Sequence, residues 1–151
     1  MNEDRPARRP PYEGRPQRVL FLCTHNSARS QMAEALLRRL GGPSFEVQSA
    51  GTTPRPIRPE AIQVMGELGI DVGGHASKNV ADLLGERFDL VVTVCDTAKE
   101  SCPIFPGAPR SLHWSIDDPS VGTGDASARL AAFRRARDDL KARIETELIS
   151  R

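Results

Sequence analysis

An apolar run that ends in a cysteine, followed by a loop and an amphipathic segment, constrains the fold of this chain most. Residues 19–22 are Val-Leu-Phe-Leu, and Cys23 follows them directly. An uninterrupted apolar run of this length is typical of a parallel strand that is buried on both faces. Residues 31–40 carry apolar side chains at helical spacing, and the two glycines that follow end a helix. The sequence therefore predicts a strand, a loop and a helix in succession, with Cys23 at the start of the loop.

The alternation of strand and helix continues along the rest of the chain. Further strands are predicted at residues 45–49, 90–94 and 110–114, and helical segments at 59–68, 79–84 and 126–149. Because strands that alternate with helices form parallel sheets, we expect an α/β fold. It is a single domain, residues 18–151, with a doubly wound, four-stranded parallel sheet flanked by helices. Residues 1–17 are rich in arginine and proline and lack apolar periodicity, which indicates a disordered N-terminal arm.

The charge balance and the cysteine count narrow the class of protein. Lysine and arginine number 21 and aspartate and glutamate 20, so no excess charge favours nucleic acid or a membrane surface as a partner. No apolar run is long enough to span a bilayer and no secretory signal precedes the first strand, so we expect a cytoplasmic protein. The odd number of cysteines, three, indicates reduced and reactive thiols rather than a disulfide framework.

The loop after the first strand has the composition of an oxyanion site. It lies at the carboxyl end of a strand and the amino end of a helix, where backbone N–H groups converge on an anion and favour a thiolate. The planar guanidinium of Arg29 binds two oxygens of such an anion, and the Ser30 hydroxyl reaches the Cys23 sulfur. The predicted oxyanion-binding residues are Thr24, His25, Asn26, Ser27, Ala28, Arg29 and Ser30. The alternative for Cys23 is a buried cysteine with a packing role only.

Two further cysteines follow the predicted third strand, whose carboxyl end opens on the same crevice. Cys95 comes directly after that strand, and Cys102 lies seven residues later, before Pro103. In a helix their Cα atoms would be about 10 Å apart. A disulfide requires roughly 4.4–6.8 Å, so the pair can form a bond only if the segment is a loop or unwinds on oxidation. Three thiols, one of them a nucleophile, suggest a relay of thiol–disulfide exchange, and two unrelated loop thiols are the alternative.

An acidic pair follows the predicted fourth strand. Asp117 and Asp118 precede Pro119, and a carboxylic acid at that edge of the sheet could protonate a leaving oxygen. The chemistry alone leaves the choice between the two aspartates open, and a turn-forming role before proline is the alternative. The three histidines have no metal-ligand spacing with one another or with the cysteines, so neither a catalytic metal nor another cofactor is expected.

Several motifs together resemble those of a known superfamily. Residues 22–34, 49–52, 93–96, 102–103 and 113–119 resemble the low-molecular-weight tyrosine phosphatases and the thioredoxin-coupled arsenate reductases related to them. The phosphatases typically carry aromatic residues beside the Asp-Pro motif, whereas this chain has Ser-Val-Gly-Thr there. The chain also carries the cysteine pair that phosphatases do not need. Both departures favour the arsenate reductase branch.

The resemblance implies a role for each candidate catalytic residue. Cys23 attacks arsenate while Arg29 and the loop amides stabilise the charge, and Asp118 donates a proton to the departing hydroxyl. Cys95 then attacks Cys23 and releases arsenite, and Cys102 attacks Cys95 to form a Cys95–Cys102 disulfide. Thioredoxin or another dithiol reductant reduces that disulfide. The implied protein is a monomer in arsenic detoxification, with phosphate as a competing oxyanion.

One position departs from the superfamily pattern. Several relatives hold a potassium ion through residues that match Asn26, Glu34 and Ser49 together with an acidic residue, and this chain has Lys78 at the acidic position. We therefore expect the Lys78 ammonium to replace the ion and support Asn26 from behind the loop, with an ordinary surface lysine as the alternative.

Two other functions remain open from the sequence. The first is a phosphatase acting on phosphotyrosine or another phosphomonoester through a cysteinyl-phosphate intermediate. The second is a thiol redox sensor or oxyanion-binding module without enzymatic activity, which would have no need of Asp118.

Overall fold

The computed structural model describes residues 14–96, 104–121 and 124–149. Its strands are β1 (Gln17–Cys23), β2 (Phe45–Gly51), β3 (Leu90–Thr93) and β4 (Arg110–His113). Its α-helices are α1 (Arg29–Gly41), α2 (Pro59–Gly66) and α3 (Ala126–Arg143), and α3 continues as a π-helical turn over Ile144–Ile149. Single 3₁₀ turns cover Gly42–Ser44, Val80–Leu83 and Pro119–Val121. The predicted order of strands and helices is confirmed, with boundaries that differ by at most two residues when the π-helical turn is counted with α3.

The four strands form one parallel sheet in the order β2-β1-β3-β4. The chain leaves β1 toward β2 at one edge, then crosses back to β3 on the other side of β1, which is the doubly wound arrangement. The reversal of direction at β1 places a crevice at the carboxyl ends of β1 and β3. The sheet topology therefore directs the loops after Cys23 and after Thr93 to the same edge.

Side chains of the strands alternate between two apolar layers. Val19, Phe21 and Cys23 face a large layer to which α1, α2 and α3 all contribute. Leu20 and Leu22 face a smaller layer that contains Leu83, Phe88, Val91 and Phe105. The three α-helices thus share one core layer, and shorter pieces of chain cover the other face. Both layers fix β1 in register, because a slip of one residue would exchange its two apolar faces.

Helix α3 ends the described chain with the predicted apolar stripe. Phe133, Leu140, Ile144 and Leu148 are buried in the large layer, and Leu130 is partly buried against it. Trp114 packs against Phe21 in the same layer and donates its indole N–H to Glu147 on the π-helical turn (3.1 Å). Among the helices of the described ranges, none is both long enough and apolar enough to cross a membrane.

The first strand begins at an earlier residue than the sequence indicated, and the residues before it also contact the sheet. Gln17, assigned to the N-terminal arm from composition, is the first residue of β1. Arg15 forms two hydrogen bonds with the Asp89 carboxylate (2.8 and 2.9 Å), and the Arg18 backbone N–H donates a third (2.8 Å). The Arg15 guanidinium holds the pKa of Asp89 below its usual range. Residues 1–13, most of the predicted arm, lie outside the described residues.

Candidate active site

The predicted oxyanion loop connects the last residue of β1, Cys23, to the first residue of α1, Arg29. Both end residues are buried, with 2% and 3% of their surface exposed. Between them, Asn26, Ser27 and Ala28 are buried, whereas Thr24 and His25 are half-buried. The second part of the loop is therefore buried in the protein, and the first part, Thr24 and His25, reaches the surface.

The Cys23 sulfur accepts hydrogen bonds inside the loop. The Ser30 hydroxyl lies 2.8 Å from it, and the Asn26 backbone N–H donates to it at 3.3 Å. The Ser30 oxygen in turn accepts from the Asn26 side-chain amide (2.8 Å), so the serine hydrogen is free to point to the sulfur. Cys23 is a free thiol. Two donors directed at one sulfur stabilise negative charge on it, which is what a nucleophilic thiolate requires.

Asn26 holds the loop in a conformation that most residues avoid. Its φ of 50° lies in the left-handed region, which asparagine adopts more readily than other non-glycine residues. Its side chain is fully bonded, which offsets the cost of that conformation. The amide donates to Ser30 and Ser49, and the oxygen accepts from Gln31 Nε2 (3.0 Å) and the Lys78 backbone N–H (2.8 Å).

Arg29 and Asp118 meet at the open side of the loop. One guanidinium nitrogen of Arg29 donates to the Ile116 carbonyl oxygen (2.8 Å), and another lies 3.6 Å from Asp118 Oδ2. The other carboxylate oxygen, Asp118 Oδ1, accepts from the Ser120 backbone N–H and hydroxyl (2.9 and 2.7 Å). Asp117 is exposed instead. The geometry therefore singles out Asp118, whose Oδ2 is the oxygen directed at Arg29.

Cys95 lies two residues beyond the end of β3, at the edge of the sheet where the loop begins. Leu22 is the register partner of Thr93, and the Val94 N–H donates to the Leu22 carbonyl oxygen (2.8 Å). Continuing this register by one residue places Val94 next to Cys23, with Cys95 one residue further. Cys95 is fully buried and takes part in a disulfide. Cys102, its predicted partner, lies outside the described residues.

Lys78 lies at the polar cluster behind the loop. Its ammonium nitrogen is 3.8 Å from Glu34 Oε1 and 3.4 Å from the Ala76 carbonyl oxygen. The same carboxylate accepts from the Ser49 hydroxyl, and its second oxygen lies 2.5 Å from the Arg38 guanidinium. Glu34 thus already faces two cationic side chains, those of Arg38 and Lys78.

Three residues that the sequence did not single out for function also shape the loop. Gln31 joins Asn26 to the Ala76 carbonyl oxygen, and the Ser77 hydroxyl lies 2.9 Å from the Asn26 carbonyl oxygen. Gly51 pairs with Cys23 in the register of β1 and β2, and a Cβ there would lie 2.5 Å from the Thr24 carbonyl oxygen. The glycine after a predicted strand was the available signal, since close backbone approach requires glycine.

Comparison with known proteins shows the family of this chain. A model of the low molecular weight phosphotyrosine protein phosphatase family matches residues 18–149 of the chain. The chain belongs to this family. The match includes every described element of the sheet together with α1, α2 and α3, apart from the first residue of β1.

Several proteins that resemble this chain are named arsenate reductases. An arsenate reductase of Halalkalibacterium halodurans is 40% identical over 128 residues, which cover 85% of this chain and 92% of that protein. A solved arsenate reductase in its phosphate-binding state superposes with a TM-score of 0.74 at 31% identity, covering 86% of this chain and 95% of that one. A thioredoxin-dependent arsenate reductase of Corynebacterium glutamicum gives a TM-score of 0.61 at 29% identity, covering 89% of this chain and 64% of that one.

Proposed function

We propose that this chain is an arsenate reductase, which reduces arsenate to arsenite through Cys23, Cys95 and Cys102. The observation that carries the proposal is a second cysteine, in a disulfide, after the strand that pairs with β1. Cys95 lies one residue beyond the strand position next to Cys23 and takes part in a disulfide, while Cys23 is a free thiol. A phosphatase of this fold does not need a second cysteine near its nucleophile. A relative named arsenate reductase, 40% identical over 85% of this chain, supports the same function.

The first step is nucleophilic attack on arsenate. The Cys23 sulfur forms a bond to arsenic while one arsenate oxygen departs as water, taking a proton from Asp118. Asp118 Oδ1 is occupied by Ser120, so Oδ2 is the atom that carries this proton. The Arg29 guanidinium and the N–H groups of the loop hold the remaining oxygens, whose charge they stabilise. Arg29 is fixed for this task by its bond to the Ile116 carbonyl.

The second step moves two electrons to arsenic. The Cys95 thiolate attacks the Cys23 sulfur, a Cys23–Cys95 disulfide forms and the sulfur–arsenic bond breaks. Its electron pair stays on arsenic, which leaves as arsenite. Cys102 then attacks Cys95, so that Cys23 returns as a thiol and the disulfide passes to Cys95 and Cys102. The free Cys23 and the disulfide at Cys95 correspond to the state reached after this exchange.

The proposal includes the partners of the reaction. Arsenate is the substrate, and phosphate competes because it has the same charge and shape. The solved relative in a phosphate-binding state supports an oxyanion site of this kind. Thioredoxin or another dithiol protein reduces the Cys95–Cys102 disulfide, as the name of the Corynebacterium glutamicum relative supports. We further propose that the protein acts as a monomer in the cytoplasm, where thiols stay reduced.

A coupled assay tests the proposal directly. With thioredoxin, thioredoxin reductase and NADPH present, we expect addition of arsenate to start NADPH oxidation and arsenite formation in equal amounts. Phosphate is expected to inhibit competitively. Omission of thioredoxin is the control and should stop the reaction after one turnover. Rapid hydrolysis of p-nitrophenyl phosphate without any arsenate-dependent NADPH oxidation would favour the phosphatase function instead.

We also propose that Lys78 takes the place of the potassium ion of some relatives. Its ammonium approaches Glu34, and its backbone N–H bonds Asn26, so one residue supports both parts of the polar cluster. Reductase rates in potassium chloride and sodium chloride of equal ionic strength should therefore agree within about twofold, because hydrated surface charge is screened alike by both salts.

The variant Lys78→Met should lose several-fold in kcat/KM, since the carboxylate of Glu34 then keeps one cationic neighbour instead of two. Lys141→Met is the matched control, because Lys141 pairs with Glu145 on the C-terminal helix, away from the polar cluster. A several-fold rise of wild-type activity with potassium but not with sodium would contradict the proposal.

A further inference from the structure

The carbonyl oxygens of the oxyanion loop are bonded from outside the loop. Three of them accept backbone hydrogen bonds from one neighbouring segment, residues 53–58, which is neither helix nor strand. The bonds run from Thr53 N to Thr24 O, from Arg55 N to His25 O and from Arg58 N to Ser27 O, at 2.9, 3.0 and 2.9 Å. The Ser77 hydroxyl reaches a fourth oxygen, that of Asn26 (2.9 Å). Buried backbone groups require such partners, so the loop is stable only with this segment in place.

These bonds also determine where the loop N–H groups point. In a trans peptide the carbonyl of one residue and the N–H of the next point in opposite directions, and the described residues contain no cis peptide. Holding the His25 carbonyl at Arg55 therefore turns the Asn26 N–H the other way, and that N–H does point to the Cys23 sulfur (3.3 Å). By the same geometry, the bond to the Thr24 carbonyl turns the His25 N–H toward the anion. The bond to the Ser27 carbonyl does the same for the Ala28 N–H.

The segment is built to hold its donors in place. We call residues 53–58 the proline strap, because Pro54 and Pro56 alternate with the donors and Pro59 follows directly. Proline has a fixed φ and no N–H, so it stiffens the chain without adding a competing donor. It also keeps the residue before it extended. The Ser77 hydroxyl lies 2.5 Å from the Arg55 carbonyl oxygen as well, which ties the middle of the strap to the same serine that reaches the loop.

We propose that the proline strap is a positioning element of the oxyanion site, and that its backbone N–H groups orient the loop amides that bind the anion. The strap residues touch loop carbonyls and act on the substrate only through the loop. The inference rests on the proposed oxyanion site but not on the identity of the reaction, so binding of inorganic phosphate is sufficient to test it.

Arg58 allows one of these donors to be removed cleanly. Its φ of −67° and ψ of 136° match the backbone of proline, so Arg58→Pro fits the strap while deleting the N–H that bonds Ser27. The matched control is Arg58→Ala, which keeps the N–H and removes only the guanidinium near Glu60 (3.7 Å). We expect the dissociation constant for phosphate to rise about three- to tenfold more in Arg58→Pro than in Arg58→Ala, the range that one lost hydrogen bond gives.

The experiment is titration calorimetry with phosphate on reduced full-length protein, with thermal unfolding recorded with and without phosphate. A purely structural role would lower the unfolding temperature of the free protein and leave phosphate affinity equal in the two variants. That result, with both variants folded, overturns the proposal. If Arg58→Pro does not fold, Arg55→Pro decides, because it deletes the N–H that bonds the His25 carbonyl, with Arg55→Ala as its control. Weaker phosphate binding in Arg55→Pro than in Arg55→Ala supports the strap, and equal binding overturns it. Wild-type protein without any phosphate affinity would instead contradict the oxyanion site itself.

Discussion

The variant Cys95→Ser is expected to lose multiple-turnover arsenate reduction, by on the order of 10³-fold or more, as removal of an essential nucleophile does. Its hydrolysis of p-nitrophenyl phosphate should stay within about threefold of the wild type, because that reaction needs only the Cys23 loop, Arg29 and Asp118. Without the Cys95 thiol, nothing attacks the Cys23 sulfur to break its bond to arsenic. Water then returns the adduct to arsenate, and arsenic is not reduced.

The measurement is a pair of assays on the same preparations, coupled NADPH oxidation and release of p-nitrophenol. Cys23→Ser is the control that should lose both activities. Because Cys95 is fully buried, phosphate binding also has to be measured to show that the serine variant is folded. Unchanged arsenate reduction by Cys95→Ser would exclude the relay. Loss of both activities with phosphate binding intact would mean that Cys95 acts in the oxyanion site itself.

The fold could be predicted from the sequence because its elements carry strong local patterns. The apolar run at 19–22 and the β-branched run at 90–94 indicate buried parallel strands, and both lie in the centre of the sheet. The five apolar positions of the C-terminal helix indicated its buried face, and these residues pack in or against one core layer. Such patterns do not distinguish α-helical from π-helical turns, so the π-helical turn at Ile144–Ile149 could not be predicted.

The site could be predicted only where side chains carry the chemistry. The cysteine, the arginine and the serine of the loop were identified by type and spacing, and the predicted contact of Ser30 with the Cys23 sulfur is present at 2.8 Å. The chemistry of the residues alone did not decide between Asp117 and Asp118, because adjacent residues in a loop have no periodicity that fixes their directions, and only the family resemblance implied Asp118. In the structure Asp117 is exposed, and Asp118 is held by Ser120 opposite Arg29.

The contributions of the backbone to the site could hardly be predicted from the sequence. The proline strap acts through N–H groups, which every residue except proline possesses. Its two prolines, Pro54 and Pro56, carried no prediction, and Pro59 was predicted only as the start of a helix. The pairing of Glu34 with Arg38 was likewise unforeseen, although the two residues lie four apart on one helix. Roles that depend on main-chain direction require the three-dimensional structure.

The variant Arg29→Lys is expected to lower kcat/KM for arsenate by on the order of 10²- to 10³-fold, the range found when a main oxyanion donor is removed. Lysine keeps the positive charge, so a purely electrostatic role would leave most activity. The guanidinium does more: it donates to the Ile116 carbonyl and lies beside Asp118, and its planar shape can hold two arsenate oxygens at once. A single ammonium group cannot make these contacts together.

Arg137→Lys is the matched control for this substitution. Arg137 is also buried, and its guanidinium also bonds a backbone carbonyl, that of Val64 (2.8 Å), and a carboxylate, that of Glu67 (2.7 Å). These contacts join α2 to α3 away from the oxyanion loop, so the control should lose stability while its kcat/KM stays within about twofold of the wild type. Steady-state kinetics with phosphate inhibition constants measure both variants. Equal activity losses in the two would assign Arg29 to the fold, whereas a loss confined to Arg29→Lys, with weaker phosphate inhibition, assigns its guanidinium to the bound oxyanion.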